Sequence, residues 1–241
     1  NDRTLVYDTG AKFSERFNAG EGIVAPYLRS RGIAVVDLLV VSHNDADHAG
    51  GARGLLSSIP VERVMSGQAA DLALEGVQPC RRGVAWQWQD VRFEILAPEH
   101  SIAVSDNDAS CVIAVSQADR TILLTGDITG KVERQLVRAG LLPPDVDLLV
   151  APHHGSNSSS TAEFISAVTP KHVVYSAGYN HHFGHPHAKV VARYREVGAE
   201  QWSTADAGAI VFDWPTDEKL RVETARQGRS RYWRDAFLAP P

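Results

Sequence analysis

Four side chains of metal-binding type fall within six consecutive positions: His43, Asp45, Asp47 and His48, in the stretch SHNDADHAGG (42–51). The apolar run DLLVV leads into them and a glycine pair follows, so one turn past a strand must hold all four in one small space. A single ion needs about three protein ligands and a water. Asp127, after LLTG, and His154, in PHHGS (152–156), stand at the ends of two further apolar runs. Six candidate ligands point to two ions, about 3.5–4 Å apart with a shared water or hydroxide. Taken alone, the first loop has a plainer reading, a solvated polar turn with Asp47 capping a helix; the other strand-end clusters weigh against it. A carboxylate with two oxygens is the natural bridge between two cations, which suits Asp127. The glycine beside His154 allows close backbone approach. Of the adjacent pair, His154 is the expected ligand and His153 a hydrogen-bonding partner.

Eight of the ten histidines lie in three clusters, the third being His181, His182, His185 and His187 in YNHHFGHPH (179–187). That segment supplies more imidazole than two ions can use. Its expected role is substrate contact, with His185 or His187 stabilising transition-state charge or assisting the leaving group. For His187 a ligand role is the alternative, and for His181 and His182 a surface loop. His172, on a strand, is expected to be structural, and His100, beside Pro98, a solvated loop residue.

These groups need a scaffold of strands ending in loops. Strand-type runs occur at 4–10, 37–43, 91–98, 111–127 (a hairpin turning at 118–120), 146–155, 172–178 and 207–214. Helix-type segments lie between them: 22–32, 131–140 and 186–198, the last opening on Pro186, each closing on Gly. Residues 160–168 open with Ser160 and carry Glu163 three positions on, a capping-box pattern. DLLVV and VDLLVA are continuously apolar, as expected when both faces of a sheet are covered.

The chain of 241 residues carries 24 basic and 29 acidic side chains, a net charge of −5. This argues against a general polyanion-coating protein, whose affinity comes from many Lys and Arg contacts with phosphates. An enzyme that grips phosphates locally through metal ions stays open. No apolar run approaches the roughly 18–20 residues that span a bilayer, so a soluble piece is expected. It opens on Asn1 rather than Met, as a processed chain or a segment of something longer would. Cys80 and Cys111 lack the spacing of a zinc site and are either one bridge or two core thiols, buried thiols being the commoner case. Arginines at 221, 226, 229, 231 and 234 divide the chain into one α/β domain, 1–224, and a basic tail, 225–241. With Tyr232 and Trp233, that tail either tracks a single strand by charge and stacking or is solvated.

Asp8, HNDADH, TGD and PHHGS resemble, in this order, the motifs of the metallo-β-lactamase fold superfamily, from residue 8 to about 187. The resemblance implies an α/β fold, an αββα sandwich of two mixed sheets with helices outside, and a two-metal site at one edge. The superfamily pattern is His-x-His-x-Asp-His; here Asp45 replaces the second His. That variant, with LLTGD, APHHGS followed by serines, and GHPH, is similar to the C-terminal domain of the ComEC-type DNA-internalisation proteins of bacterial competence. This implies a phosphodiesterase that degrades one strand of incoming DNA during natural transformation. It also implies a soluble domain attached to the inner membrane on the periplasmic side, partnered by the membrane channel portion of the same longer protein, with no small organic cofactor. The third-motif His is missing; SDNDASCV (105–112) occupies its place, so Asn107, Asp108 or Ser110 is expected to face the site. The initial strand and Gly-Gln-Gly turn usual in that family are also missing.

Exchanging an imidazole for Asp45 makes the first site richer in oxygen, which favours manganese, with magnesium or zinc as alternatives. His43, Asp45 and Asp127 are assigned to the first ion and Asp47, His48, Asp127 and His154 to the second. Asp47, His185 and His187 are the expected catalytic groups, and Asp8 an orienting one. Two rival functions remain: a zinc-dependent hydrolase of small esters or lactones, and a non-catalytic DNA-guiding module.

Overall fold

The computed structural model describes residues 3–99, 106–179, 183–215 and 219–226. The chain begins with β1 (Leu5–Tyr7), the short hairpin β2 (Lys12–Ser14) and β3 (Phe17–Asn18), and helix α1 (Ala25–Ser30). It continues through β4 (Leu38–Val41), α2 (Ala46–Ala49), α3 (Ala52–Ser58), β5 (Val64–Ser66) and β6 (Gln78–Pro79). Next come β7 (Ala85–Trp88), β8 (Val91–Ala97), β9 (Val112–Gln117), β10 (Arg120–Leu124) and α4 (Gly130–Arg138). The last stretch holds β11 (Leu148–Val150), α5 (Ala162–Val168), β12 (His172–Tyr175), α6 (Ala188–Glu196) and β13 (Glu200–Ser203). A short α7 (Thr204–Ala207) and the antiparallel pair β14 (Ile210–Asp213) and β15 (Arg221–Thr224) follow.

Two sheets result. The first has the order β1-β4-β5-β6 and runs parallel throughout. The second, β13-β12-β11-β10-β9-β8-β7, carries the mixed character: β10 to β13 are parallel and β7 to β10 antiparallel. The buried run of β4 shows why its sequence does not alternate. Leu39 and Val41 pack with Leu28 of α1 and Leu55 of α3, while Leu38 and Val40 pack with Phe93, Ile95 and Ile113 of the second sheet. Both faces of β4 are therefore core. The outer face of the second sheet is covered by α4, α5 and α6. Val132 and Leu136, like Val190 and Tyr194, stand four positions apart and so share one helix face. Each fully buried Leu or Val side chain contributes roughly 1.5–3 kcal/mol.

Three local expectations change. Cys80, after β6, and Cys111, before β9, form a disulfide that joins the two sheets, rather than two core thiols. The cap of α5 is Thr161, whose Oγ1 accepts from Phe164 N–H, not Ser160 with Glu163. Ser160 has φ 55°, a left-handed conformation that breaks the capping box, and Glu133 of α4 takes the N–H groups of Ser160 and Thr161 instead. Helix α6 starts after Pro186, with His187 as its N-cap. His172 Nδ1 lies 3.2 Å from Glu200 Oε2, out of hydrogen-bond alignment, and the ring packs edge-on against Phe212, away from the strand-end clusters. Ala225 and Arg226 still hydrogen-bond to Ala209 and Ala207. The tail beyond them, including Tyr232 and Trp233, lies outside the described residues, as do His100, His181 and His182.

Candidate metal centre

Parallel strands set the site. Asp8 follows β1, residues 43–48 follow β4, Asp127 follows β10, and His153 and His154 follow β11. Each therefore sits at the carboxyl end of a strand, where open α/β sheets present their ligands. Asp8, at φ 62°, turns back across the first sheet. Its Oδ1 accepts the N–H of Ser42 (2.7 Å), and its Oδ2 accepts the Ser42 hydroxyl (2.9 Å) and Nδ1 of His48 (2.8 Å). Ser42 Oγ also lies 3.0 Å from His43 Nδ1. Because its own proton goes to Asp8, it accepts from that ring. Both imidazoles are thereby fixed with Nδ1 as donor, leaving Nε2 toward the centre. Asp8 thus contacts His48 directly and His43 through Ser42, a residue that the sequence does not single out.

The Nε2 of His43 is buried and makes no hydrogen bond, although Asp45 Oδ2 stands 3.3 Å away out of alignment. A buried, unbonded ring nitrogen is costly unless something else takes its lone pair. Two groups of donors lie close enough to share an ion: His43, His48 and Asp127, and Asp47, His48 and His154. His48 thus belongs to both. Its Nε2 is 3.1 Å from Asp127 Oδ1, 3.2 Å from His154 Nε2 and 3.9 Å from Asp47 Oδ2. Asp127 turns its other oxygen to His154 (3.5 Å) and His153 (3.6 Å), so it reaches both sides. His154 Nε2 lies 3.3 Å from Asp47 Oδ2. Asp45 stands beside His43 and joins neither tight group.

The charges respond to this crowding. Burial works against a charged His48, yet hydrogen bonds to Asp127 and Asp8 carry its pKa up to about 11. Burial likewise opposes His154, but Asp47 raises it. The hydrogen bond from His154 holds Asp47 well below the usual carboxylate range. For Asp127, burial pushes upward and the bond with His48 outweighs it, so the group stays ionised. Burial, then the neighbouring His48 charge, depresses His43. These residues fit a pair of divalent ions: lone pairs and carboxylates converge with protons as their only other company.

The other candidates are placed as follows. Ser110 Oγ accepts the N–H of Asp127 (2.9 Å), which fixes that carboxylate's backbone. Gly126 makes this possible, for a Cβ there would stand 2.7 Å from the Cβ of Ser110. Asp108 is turned away, accepting from Thr129. Asn107 Nδ2 lies 3.5 Å from both ring nitrogens of His153. The His185 ring is 5.8 Å from that of His153 and 6.4 Å from that of His154. His187 is not among the converging groups; its Nδ1 accepts from Lys189 N–H and caps α6. Ser158, which the sequence does not single out among the serines after PHHGS, sits 3.2 Å from His153 Nδ1.

Strand order, layers and strand-end ligands define a metallo-β-lactamase fold, and residues 1–179 match the model of that superfamily: the chain belongs to the metallo-β-lactamase superfamily. Its members are metal-dependent hydrolases, and the fold implies divalent metals, often two. The chain is 38% identical over 213 residues to competence protein ComA of Neisseria gonorrhoeae, covering 88% of this chain and 29% of that protein. It is 32% identical over 226 residues to recombination protein 2 of Haemophilus influenzae, covering 94% of this chain and 28% of that one. It therefore spans less than a third of these relatives' length. Among solved structures, CmlA, a diiron β-hydroxylase from Streptomyces venezuelae, superposes with a TM-score of 0.54 at 14% identity, covering 70% of this chain and 44% of that one. At that identity the likeness is one of fold. Among the described residues no helix is long and apolar enough to cross a membrane.

Proposed function

We propose that this domain is a divalent-metal-dependent phosphodiesterase, a deoxyribonuclease that degrades one strand of incoming DNA during natural transformation. The carrying observation is the oxygen content of the centre. Asp45, Asp47 and Asp127 stand among three imidazoles, and Asp127 directs one oxygen to His48 and the other to His154. The donors that would hold the ions are His43, His48 and Asp127 on one side and Asp47, His48 and His154 on the other, with Asp45 beside His43. This set suits manganese, with magnesium or zinc as alternatives. A bound pair would neutralise the phosphodiester and lower the pKa of the attacking water.

The chain's own residues do the rest. Asp8 and Ser42 keep His43 and His48 in the tautomer that offers Nε2. Ser110 holds Asp127 against the centre. His185, with its ring 5.8 Å from that of His153 and 6.4 Å from that of His154, is assigned the hydrogen bond to the departing oxygen. The names of the relatives support a place in DNA uptake. On that reading the partners are single-stranded DNA and the membrane channel portion of the same longer protein, on the periplasmic side, with no small organic cofactor.

The test is cleavage of end-labelled single- and double-stranded DNA by metal-stripped protein given Mn²⁺, Mg²⁺ or Zn²⁺. Mn²⁺-dependent cleavage is expected, and Asp47→Ala should reduce it by roughly two to three orders of magnitude. Zinc-dependent ester hydrolysis with no action on DNA would overturn the proposal.

A further inference from the structure

The adjacent histidines of PHHGS are not equivalent, and the difference lies in their backbone. His153 has φ 50° and ψ 46°, His154 has φ 55° and ψ 17°, and Gly155 has φ 83°. A non-glycine residue in this left-handed region costs roughly 1–2 kcal/mol, so two in succession persist only where the surroundings enforce them. Here they do. His153 N–H donates to Gly126 O (3.0 Å), Ser156 N–H donates to His153 O (2.7 Å), and the Ser159 hydroxyl donates to Pro152 O (2.8 Å). An extended chain would send neighbouring side chains to opposite sides. This turn instead brings both rings to the same oxygen, Oδ2 of Asp127, at 3.6 and 3.5 Å.

Only one of them belongs to the metal groups. His154 Nε2 lies with Asp47 and His48, whereas His153 is in neither group and keeps a quarter of its side chain in solvent. Its ring is held from behind. The Ser158 hydroxyl stands 3.2 Å from Nδ1, and the Asn107 amide nitrogen lies 3.5 Å from both ring nitrogens, so Ser158 alone distinguishes the two. With the Ser158 hydroxyl donating to Nδ1, the neutral ring would carry its proton on Nε2, facing the centre. At 3.6 Å the Asp127 oxygen is too far to hold that N–H, which can turn to an oxygen of a ligand approaching from the exposed side of the ring.

We propose that His153, oriented by Ser158 and Asn107, is the substrate anchor of this centre: its Nε2–H hydrogen-bonds a non-bridging oxygen of the scissile phosphate while His154 serves the metal. The proposal rests on the phosphodiesterase reading and names the group that grips the phosphate. His153 is then a catalytic residue by contact, and Ser158 a positioning residue acting through it.

The experiment uses Mn²⁺-loaded protein and two readouts, binding of inorganic phosphate by calorimetry and steady-state cleavage of an end-labelled single-stranded oligonucleotide. His153→Asn is chosen because Asn tolerates the left-handed backbone while losing the reach of the ring. His153→Asn and Ser158→Ala should each weaken phosphate binding and raise KM roughly tenfold, the loss expected for a hydrogen bond to a charged group. Manganese content should be unchanged, and Ser158→Thr should restore the wild-type values. Wild-type phosphate affinity in both variants overturns the anchor, as does loss of manganese from His153→Asn, which would make His153 a ligand. A wild-type chain that binds no phosphate overturns it too. Phosphate binding that depends on His153, without cleavage of any polynucleotide, leaves the anchor standing and overturns the nuclease reading.

Discussion

At the scale of single residues, the proposed metal centre is a set of groups whose protons a bound ion would displace. With Asp8, Asp47 and Asp127 around them, His48 and His154 favour their protonated forms in the metal-free chain, His48 with a pKa of about 11. A ligand imidazole must be neutral, so if His48 holds the ion as proposed, binding has to expel its proton at any pH below that value. Metal affinity should therefore rise with pH, by about one decade per pH unit between pH 6 and 8 for each proton released. Calorimetric titration with Mn²⁺ in buffers of differing ionisation enthalpy checks this, and a pH-independent affinity would contradict it. Asp8 sets the ring orientation through three hydrogen bonds. Asp8→Ala should accordingly lower manganese affinity about 10–100-fold while leaving every direct ligand in place.

Elements show what the sequence made legible and what it did not. Ligand-type residues directly after apolar runs mark strand ends, so the clusters after β4, β10 and β11 could be placed without coordinates. The roles of His153 and His154 could not, because they depend on two successive left-handed residues that no glycine announces. Ser42 looks like an ordinary strand-end serine until Asp8 is seen folded back onto it. Short elements such as α3, β5, β7 and β13 gave too little periodicity to register. The cap of α5 was misplaced by one residue because Ser160 is left-handed and its backbone is claimed from another helix. Glu133 of α4 is fully buried, burial raises its pKa, and its two oxygens take the N–H groups of Ser160 and Thr161. This ties the serine loop after His154 to α4. Glu133→Ala leaves one buried and one part-buried donor without partners and should cost about 2–4 kcal/mol in urea unfolding. Because the same loop holds Ser158, phosphate binding should weaken alongside, and a loss of stability alone would show that the loop keeps its place without this tie.

For the whole molecule, function depends on two sheets keeping register at one edge, since β1 and β4 bring Asp8 and the first loop while β10 and β11 bring Asp127 and the histidine pair. The Cys80–Cys111 disulfide joins those sheets close to that edge. Cys111 N–H donates to Ser42 O (2.9 Å), Cys111 O accepts the Tyr7 hydroxyl (2.6 Å), and the preceding Ser110 bonds Asp127. One short segment thus touches three strand ends of the proposed centre, two through their backbone and one through the Tyr7 side chain, and the bridge pins it. Pairing was not legible in the sequence because it depends on two Cα atoms in different sheets standing 5.8 Å apart. The bridge closes a loop with a sequence separation of 31, for which chain entropy gives about 3–4 kcal/mol of stabilisation. The double variant Cys80→Ala/Cys111→Ala should lose about that much in equilibrium unfolding of the metal-free chain. Manganese, binding only the folded state, should recover part of the loss as its concentration rises. The same variant should bind manganese more weakly than the oxidised wild type, because Ser42 and Asp127 lose their shared anchor. If stability falls while manganese affinity stays unchanged, the disulfide serves the core alone and the hydrogen bonds of residues 110 and 111 suffice to hold the centre.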